Sequence, residues 1–236
     1  MKKKILSLLT CLSIILVGIF TVAGCAEDPA DTNIYVSTNA ELVTAVAEAK
    51  DNSKIVLKDD IDLEQTLVVT KTLTLDLNGK EISNTTDIWE DTELIDTWSL
   101  ISVQGEGDLT ITGNGALNAK ENDCYAVDVR ETAKVTIKNG TITGNISAVY
   151  VIDNGLAIIE GGTYNIKQLS KYADNRYTLN ALDKDNANAT FVVTGGTFVK
   201  YDPSHSNSEN PELNFVADGY ESNLVGENYV VSKIAE

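Results

Sequence analysis

Tyr125 to Gly140 (YAVDVRETAKVTIKNG) aligns without a gap on Ser147 to Gly162 (SAVYVIDNGLAIIEGG), a shift of 22 residues. Ser99 to Ile111 (SLISVQGEGDLTI) aligns on Tyr125 to Ile137 at a shift of 26. The second half of the unit recurs at Thr72 to Gly79 (TLTLDLNG) and Thr190 to Gly196 (TFVVTGG). Self-similarity at this period means stacked supersecondary units, each too small to bury its apolar face alone. The unit reads as strand, because β-branched residues alternate with polar ones. A glycine closes each copy, at Gly79, Gly115, Gly140, Gly162 and Gly196, where the backbone must bend sharply. In the last four an apolar residue follows two positions later: Leu117, Ile142, Tyr164 and Phe198.

Stacked copies place equivalent side chains over one another. The alignment predicts inward columns Leu73/Leu109/Val135/Phe191 and Leu75/Ile111/Ile137/Ile159/Val193, with Ile101/Val127/Val149 and Val103/Val129/Val151 as two more. A right-handed parallel β-helix satisfies all of these together. A β-sandwich of about ten strands is the rival, but it has no need of a gapless 22-residue repeat.

The repeated T-I-x-G-G-T-Y/F coils resemble those of the pectin-lyase-like parallel β-helices. The chain is closer still to adhesin-like bacterial surface lipoproteins, with their helix-led entry (STNAELVTAVAEAKDNSKIVL). It also has their ending: Gly195-Gly196-Thr197-Phe198, Tyr201-Asp202-Pro203-Ser204, Phe215 to Tyr220 and a final Tyr229-Val230-Val231 strand. The resemblance covers about residues 33–233 and implies the fold. It leaves function open, because such coils carry lyases, hydrolases and non-catalytic adhesins alike.

The N-terminus reads as an address. Lys2, Lys3 and Lys4 precede an uncharged run from Ile5 to Gly24, long enough to span a bilayer. Its ending, Val22-Ala23-Gly24-Cys25, resembles the lipoprotein box, which implies a signal peptide over 1–24 and a lipid on Cys25. A plain cleaved signal or a single anchor helix is the other reading. Residues 25–32 then form an acylated, flexible tether, and 33–236 the β-helix domain. The expected location is outside the cell, held to the cell membrane or outer membrane only through the lipid. With Cys11 removed and Cys25 acylated, Cys124 has no disulfide partner.

Both ends of a stack need covers. Thr38 and Glu41 make a capping box ahead of Leu42, Val43, Val46 and Ala47 at helical spacing, which predicts one helix over about 39–50. It is placed to cover the first end. The segment after Phe198, ending in a hairpin (Tyr220 to Val225, turn Gly226-Glu227-Asn228, Tyr229 to Lys233), is placed to cover the last.

Chemistry is sparser. The net charge of −17 repels phosphates and excludes nucleic acid as a partner, and one His with three scattered Cys excludes a zinc cluster. The glycine-to-glycine spacings are 36, 25, 22 and 34, so the first and last intervals hold insertions. Ser83 to Trp98 carries Trp89, Trp98 and five acids; Asn165 to Tyr177 carries Lys167, Lys171, Tyr172, Arg176 and Tyr177. Both leave the same corner, three coils or about 14–15 Å apart.

One reading makes them acidic and basic walls of a shallow groove, with Trp89, Trp98, Tyr172 and Tyr177 stacking on sugar rings and a floor near Asn118 to Asp123 and Thr143 to Ile146. The other folds those aromatics back over the barrel side. Asp128 and Arg130 share one outward face beside Ser102, Gln104, Tyr150 and Ile152; a solvated pair is expected there, a ligand contact being the alternative. Lys138 faces Glu160 across coils. His205 stands in a polar loop with no Ser or Cys partner evident in the sequence.

Asp183 and Asp185 head an alternating oxygen run like that of calcium loops, yet the turn glycine and distal Glu are lacking, so a polar turn is expected and no cofactor. The reading is a non-catalytic, adhesin-like module contacting glycan or an envelope or host protein, its oligomeric state undetermined by the sequence. A small polysaccharide lyase or glycoside hydrolase is the alternative.

Overall fold

The computed structural model describes residues 32–86, 98–169, 176–182, 188–206, 208 and 213–235. The described residues open with β1 (Ile34–Val36) and α1 (Asn39–Glu48), then pass through β2 (Ser53–Leu57), β3 (Ile61–Leu63) and β4 (Leu67–Val69). The next rounds are β5 (Thr72–Asp76), β6 (Glu81–Asn84) and β7 (Ser99–Val103), then β8 (Asp108–Thr112), β9 (Ala116–Asn118) and β10 (Tyr125–Val129). They continue as β11 (Lys134–Ile137), β12 (Thr141–Gly144) and β13 (Ser147–Ile152), then β14 (Leu156–Ile159), β15 (Thr163–Ile166) and β16 (Leu179–Leu182). A last partial round, β17 (Thr190–Val193) and β18 (Gly196–Val199), leads to the hairpin β19 (Tyr220–Val225) and β20 (Asn228–Lys233).

The protein is therefore mostly β, with three largely parallel sheets that the chain visits in rotation. One sheet has the order β1-β2-β5-β8-β11-β14-β17, the second β16-β13-β10-β7-β4, and the third β19-β20-β18-β15-β12-β9-β6-β3. Every pairing is parallel except those of the hairpin.

The columns follow from the register. Leu75, Ile111, Ile137, Ile159 and Val193 are successive partners and all are buried. Ile101, Val127 and Val149, and Val103, Val129 and Val151, stack as the alignment predicts. The column from Leu73 through Leu109 and Val135 to Phe191 gains one member, Ala157, between Val135 and Phe191. The third sheet contributes Ile61, Ile82, Leu117, Ile142, Tyr164 and Phe198 in order, all buried. Tyr164 and Phe198 stack with ring centroids 5.0 Å apart.

Glycine is required at the corner. Gly162 has φ +95°, and a Cβ there would lie 2.8 Å from the Gly140 carbonyl oxygen. A side chain at that position would be strained twice, by the backbone angle and by the neighbouring round.

Both ends are covered as expected, with differences in detail. Thr38 caps α1 by accepting from the Glu41 amide at 3.2 Å, while the Glu41 carboxylate accepts from Ser37 N–H rather than from Thr38. The helix ends at Glu48, and Leu42, Ala45 and Val46 form its buried face, joined by Ala49 at its C-cap. Ala47, expected on that face, is exposed. The face packs against β1, β2, β3 and β4, the first strands of all three sheets. The last turn has no basic residue of its own, and Lys71 Nζ supplies the cation by donating to the Ala47 and Ala49 carbonyls.

At the other end β20 pairs with β18, Phe215 packs on Phe191 at 4.6 Å, and Tyr201 Oη donates to the Leu179 carbonyl at 3.1 Å. The hairpin turn is Gly226-Glu227 alone, since Asn228 already pairs with Val225.

Candidate functional site

β6 and β15, three strand steps apart in the third sheet, give rise to the two insertions. Both insertions return to the second sheet, where Trp98 immediately precedes β7 and Tyr177 lies two residues before β16. The expectation that both leave one corner therefore holds for the described ends. Trp89, Tyr172, Asp183 and Asp185 lie outside the described residues, and so does Cys25.

At that corner lies a cleft of about 530 Å³, lined by Glu81, Ser83, Asn84, Thr85, Asn118, Lys120, Glu121 and Lys167. Its floor belongs to the rungs. Ser83 and Asn118 are strand partners on β6 and β9, and Thr143 and Asn165 continue their row. Alternation turns this row away from the apolar column beside it, and its first two members, Ser83 and Asn118, line the cleft on a rigid base.

Local hydrogen bonds fix the lining. Asn118 Nδ2 donates to Glu81 Oε1 at 3.2 Å, and Asn84 Oδ1 accepts from Lys120 N–H at 2.8 Å. Lys167 Nζ donates to the Ala119 carbonyl, and Arg176 Nη2 donates to Asn165 Oδ1 at 2.8 Å and to the Ile166 carbonyl at 3.2 Å. Both cations thus rest on neutral oxygens in a chain rich in acid. Elsewhere Lys54, Lys134 and Lys138 reach carboxylates: Asp76, Asp108 and, as expected, Glu160. Desolvation holds Arg176 below its ordinary pKa, and its Nε is buried with no acceptor among the described residues.

Beneath the cleft, Cys124 is fully buried and receives Asn84 Nδ2 at 3.6 Å. Burial pushes its thiol up to about 11 against the opposing pull of Asn84, Lys120 and Lys167, so it stays protonated at neutral pH.

Trp98 is 43 % exposed and Tyr177 is half-buried, both at the return side of the corner. Asp128 and Arg130 form the expected ion pair, but Asp128 departs from expectation in its burial. Asp128 is 0 % exposed: Arg130 grips it through two bonds, Nε at 3.0 Å and Nη2 at 2.9 Å, and Ser102 Oγ donates at 2.6 Å. The carboxylate is shielded from water and from any ligand, while the Arg130 side chain stays 43 % exposed. The reason is that on β7, β10 and β13 both faces of the sheet are buried, Leu100, Ala126 and Ala148 included, although Val68 on the edge strand β4 is exposed.

His205 also differs, having a serine beside it. Ser204 Oγ lies 3.0 Å and Asp202 Oδ2 3.3 Å from the same ring nitrogen, Nδ1. A proton relay needs serine and carboxylate on opposite nitrogens, so this is a turn and not a triad. Burial works against the Asp202 carboxylate, but the hydroxyl and amide of Ser204 outweigh it and hold the carboxyl below the usual range. A depressed folded pKa stabilises above the unfolded value of about 3.9 and loses that contribution as pH falls through the folded value. Ser204→Ala should therefore melt earlier than the parent at neutral pH. The gap should close on acidification to about pH 2, as read by thermal melts across pH.

A second, more apolar cleft of about 550 Å³ lies between β1 and α1, lined by Ile34, Val36, Ala40, Ala45 and Ala49 with Glu41 and Glu48. It sits at the first end, away from both insertions. Among the described residues, no cluster of three His, Cys, Asp or Glu could hold a metal, and no helix is long and apolar enough to cross a membrane. Of the floor expected near Asn118 to Asp123 and Thr143 to Ile146, Asn118, Lys120 and Glu121 line this cleft and the second stretch does not; Asn84 and Thr85 come from the start of the first insertion, and Glu81 was not expected. The available signal was Asn84 itself, a polar residue at a strand end where the partner strand has Leu63. Compared with known proteins, the chain matches no family model, no curated protein and no solved structure.

Proposed function

We propose that this chain is an exported surface module of the adhesin-like kind, lipid-anchored at Cys25 and built as a right-handed parallel β-helix, that binds a ligand without chemistry. The rotation through three parallel sheets supports the helix. The basic head, apolar run and Val22-Ala23-Gly24-Cys25 ending support the anchor. The observation that carries the binding reading is the polar cleft at the one corner from which both insertions leave.

Its row of amides and hydroxyls suits sugar hydroxyls, which both donate and accept. Trp98 and Tyr177, on the return side, suit sugar faces. Glycan is the favoured ligand, and an envelope or host protein bearing glycan would dock the same way.

The test is a glycan array with the full chain and an Asn118→Ala/Lys167→Ala double variant. Loss of two hydrogen-bonding groups should weaken the hits by 10-fold or more, at about 1 kcal/mol each. Val192→Ala, on the outer face of β17, should leave them unchanged. Equal binding by all three proteins would overturn the cleft reading. A polysaccharide panel with and without Ca²⁺ should yield neither unsaturated nor reducing-end products.

A further inference from the structure

β19 is the terminal strand of the third sheet, at the end opposite β3 and about 34 Å from it at the usual strand spacing. Ile234 N–H donates to the Gly219 carbonyl at 3.0 Å, which fixes the phase of the hairpin. By alternation Glu221, Asn223 and Val225 turn their main-chain groups to β20, while Ser222 and Leu224 turn theirs outward. Among the described residues nothing pairs with that outer edge.

Of the devices that keep such edges apart the strand carries a single charge, Glu221. It has no proline, no lysine and no bulge, and Leu224 and Val225 are 61 % and 60 % exposed. The first end differs, since α1 packs against its strands.

We infer that β19 is the two-fold contact of a dimer of this chain, antiparallel to its counterpart in a second copy. An outward-facing residue can form a hydrogen-bonded pair only with another, which leaves few registers. Setting Ser222 opposite Tyr220 of the second copy would bring Glu221 against Glu221, a like-charge contact. Setting Ser222 opposite itself pairs Tyr220 with Leu224 and Glu221 with Asn223, so the only charge on the strand meets an amide. That register uses both outward groups of Ser222 and the Leu224 N–H, the Tyr220 N–H being already donated to the Ala217 carbonyl at 3.1 Å, and the two-fold axis closes it at two copies. A basic peptide, the natural partner of an acidic chain, would find one carboxylate on this strand.

The experiment uses the full chain with Ser222→Cys, oxidised mildly, with linked peptides identified by mass spectrometry. Directly opposed residues lie about 5.5 Å apart at Cα, within disulfide reach. The 222–222 link should form at least 10-fold faster than a 192–192 link in a Val192→Cys control. Adding Leu224→Lys should bring it down to the control rate. Sedimentation of the unsubstituted chain should show a reversible dimer that Leu224→Lys abolishes. Equal rates at 222 and 192, a link insensitive to Leu224→Lys, or an unsubstituted chain that stays monomeric would each overturn the inference.

Discussion

Replacing Phe198 by alanine should lower the unfolding free energy by about 3–5 kcal/mol. The ring is fully buried, stacks on Tyr164 at 5.0 Å and approaches Tyr201 at 6.2 Å, and its residue faces Tyr229 of the hairpin. It is the last member of its column and the first contact of the covering segment. The void left behind cannot be filled by collapse, because main-chain hydrogen bonds hold the neighbouring round at its strand spacing. Val192→Ala, on the outer face of β17, should change stability by no more than about 0.5 kcal/mol. Urea unfolding followed by two probes checks both. A Phe198→Ala protein with the parent's midpoint would mean that the ring does not close the end.

That column, and the others, could be read from the residues because strand alternation and a gapless repeat jointly fix which positions coincide. Leu75, Ile111, Ile137, Ile159 and Val193 needed nothing else. Ala157 escaped notice because a methyl carries little of the pattern, yet a small residue there sits directly beneath Phe191. In the helix, Ala45 and Ala47 look alike as letters, and only the phase set by docking on three sheets decides which is buried. Both insertions were visible as excess length between glycines. The residues that line the cleft depend on how strand ends meet across rounds, as Asn84 and Lys120 do, and spacing does not encode that.

Asp128 is the clearest case of a letter misleading. Alternation placed it correctly on the outward face, and a charged residue on such a face is ordinarily solvated. Whether a sheet's outer face meets water depends on what lies over it, which a repeat does not record. The burial makes a strong prediction: Arg130→Ala should cost on the order of 3 kcal/mol, because it strands a carboxylate from which water is excluded. Among the described residues only the Ser102 hydroxyl would remain to satisfy it. The value belongs at the low end of the range, since the Arg130 side chain is itself 43 % exposed. Asp128→Ala/Arg130→Ala together should cost less than Arg130→Ala alone, a non-additivity that a double-mutant cycle in urea measures directly. A double variant as unstable as the sum of the two singles would show that the ion pair is not what the fold depends on there.

Asn84 and Ser99 end and resume the ladder in neighbouring sheets, as Ile166 and Leu179 do three strands on. Whatever is spliced between such a pair leaves every rung where it was. Doubling its length adds only about 0.6 kcal/mol of closure entropy. Lineages carrying this architecture can therefore diversify what they recognise by lengthening, shortening or exchanging two tongues of sequence, while inheriting the frame intact.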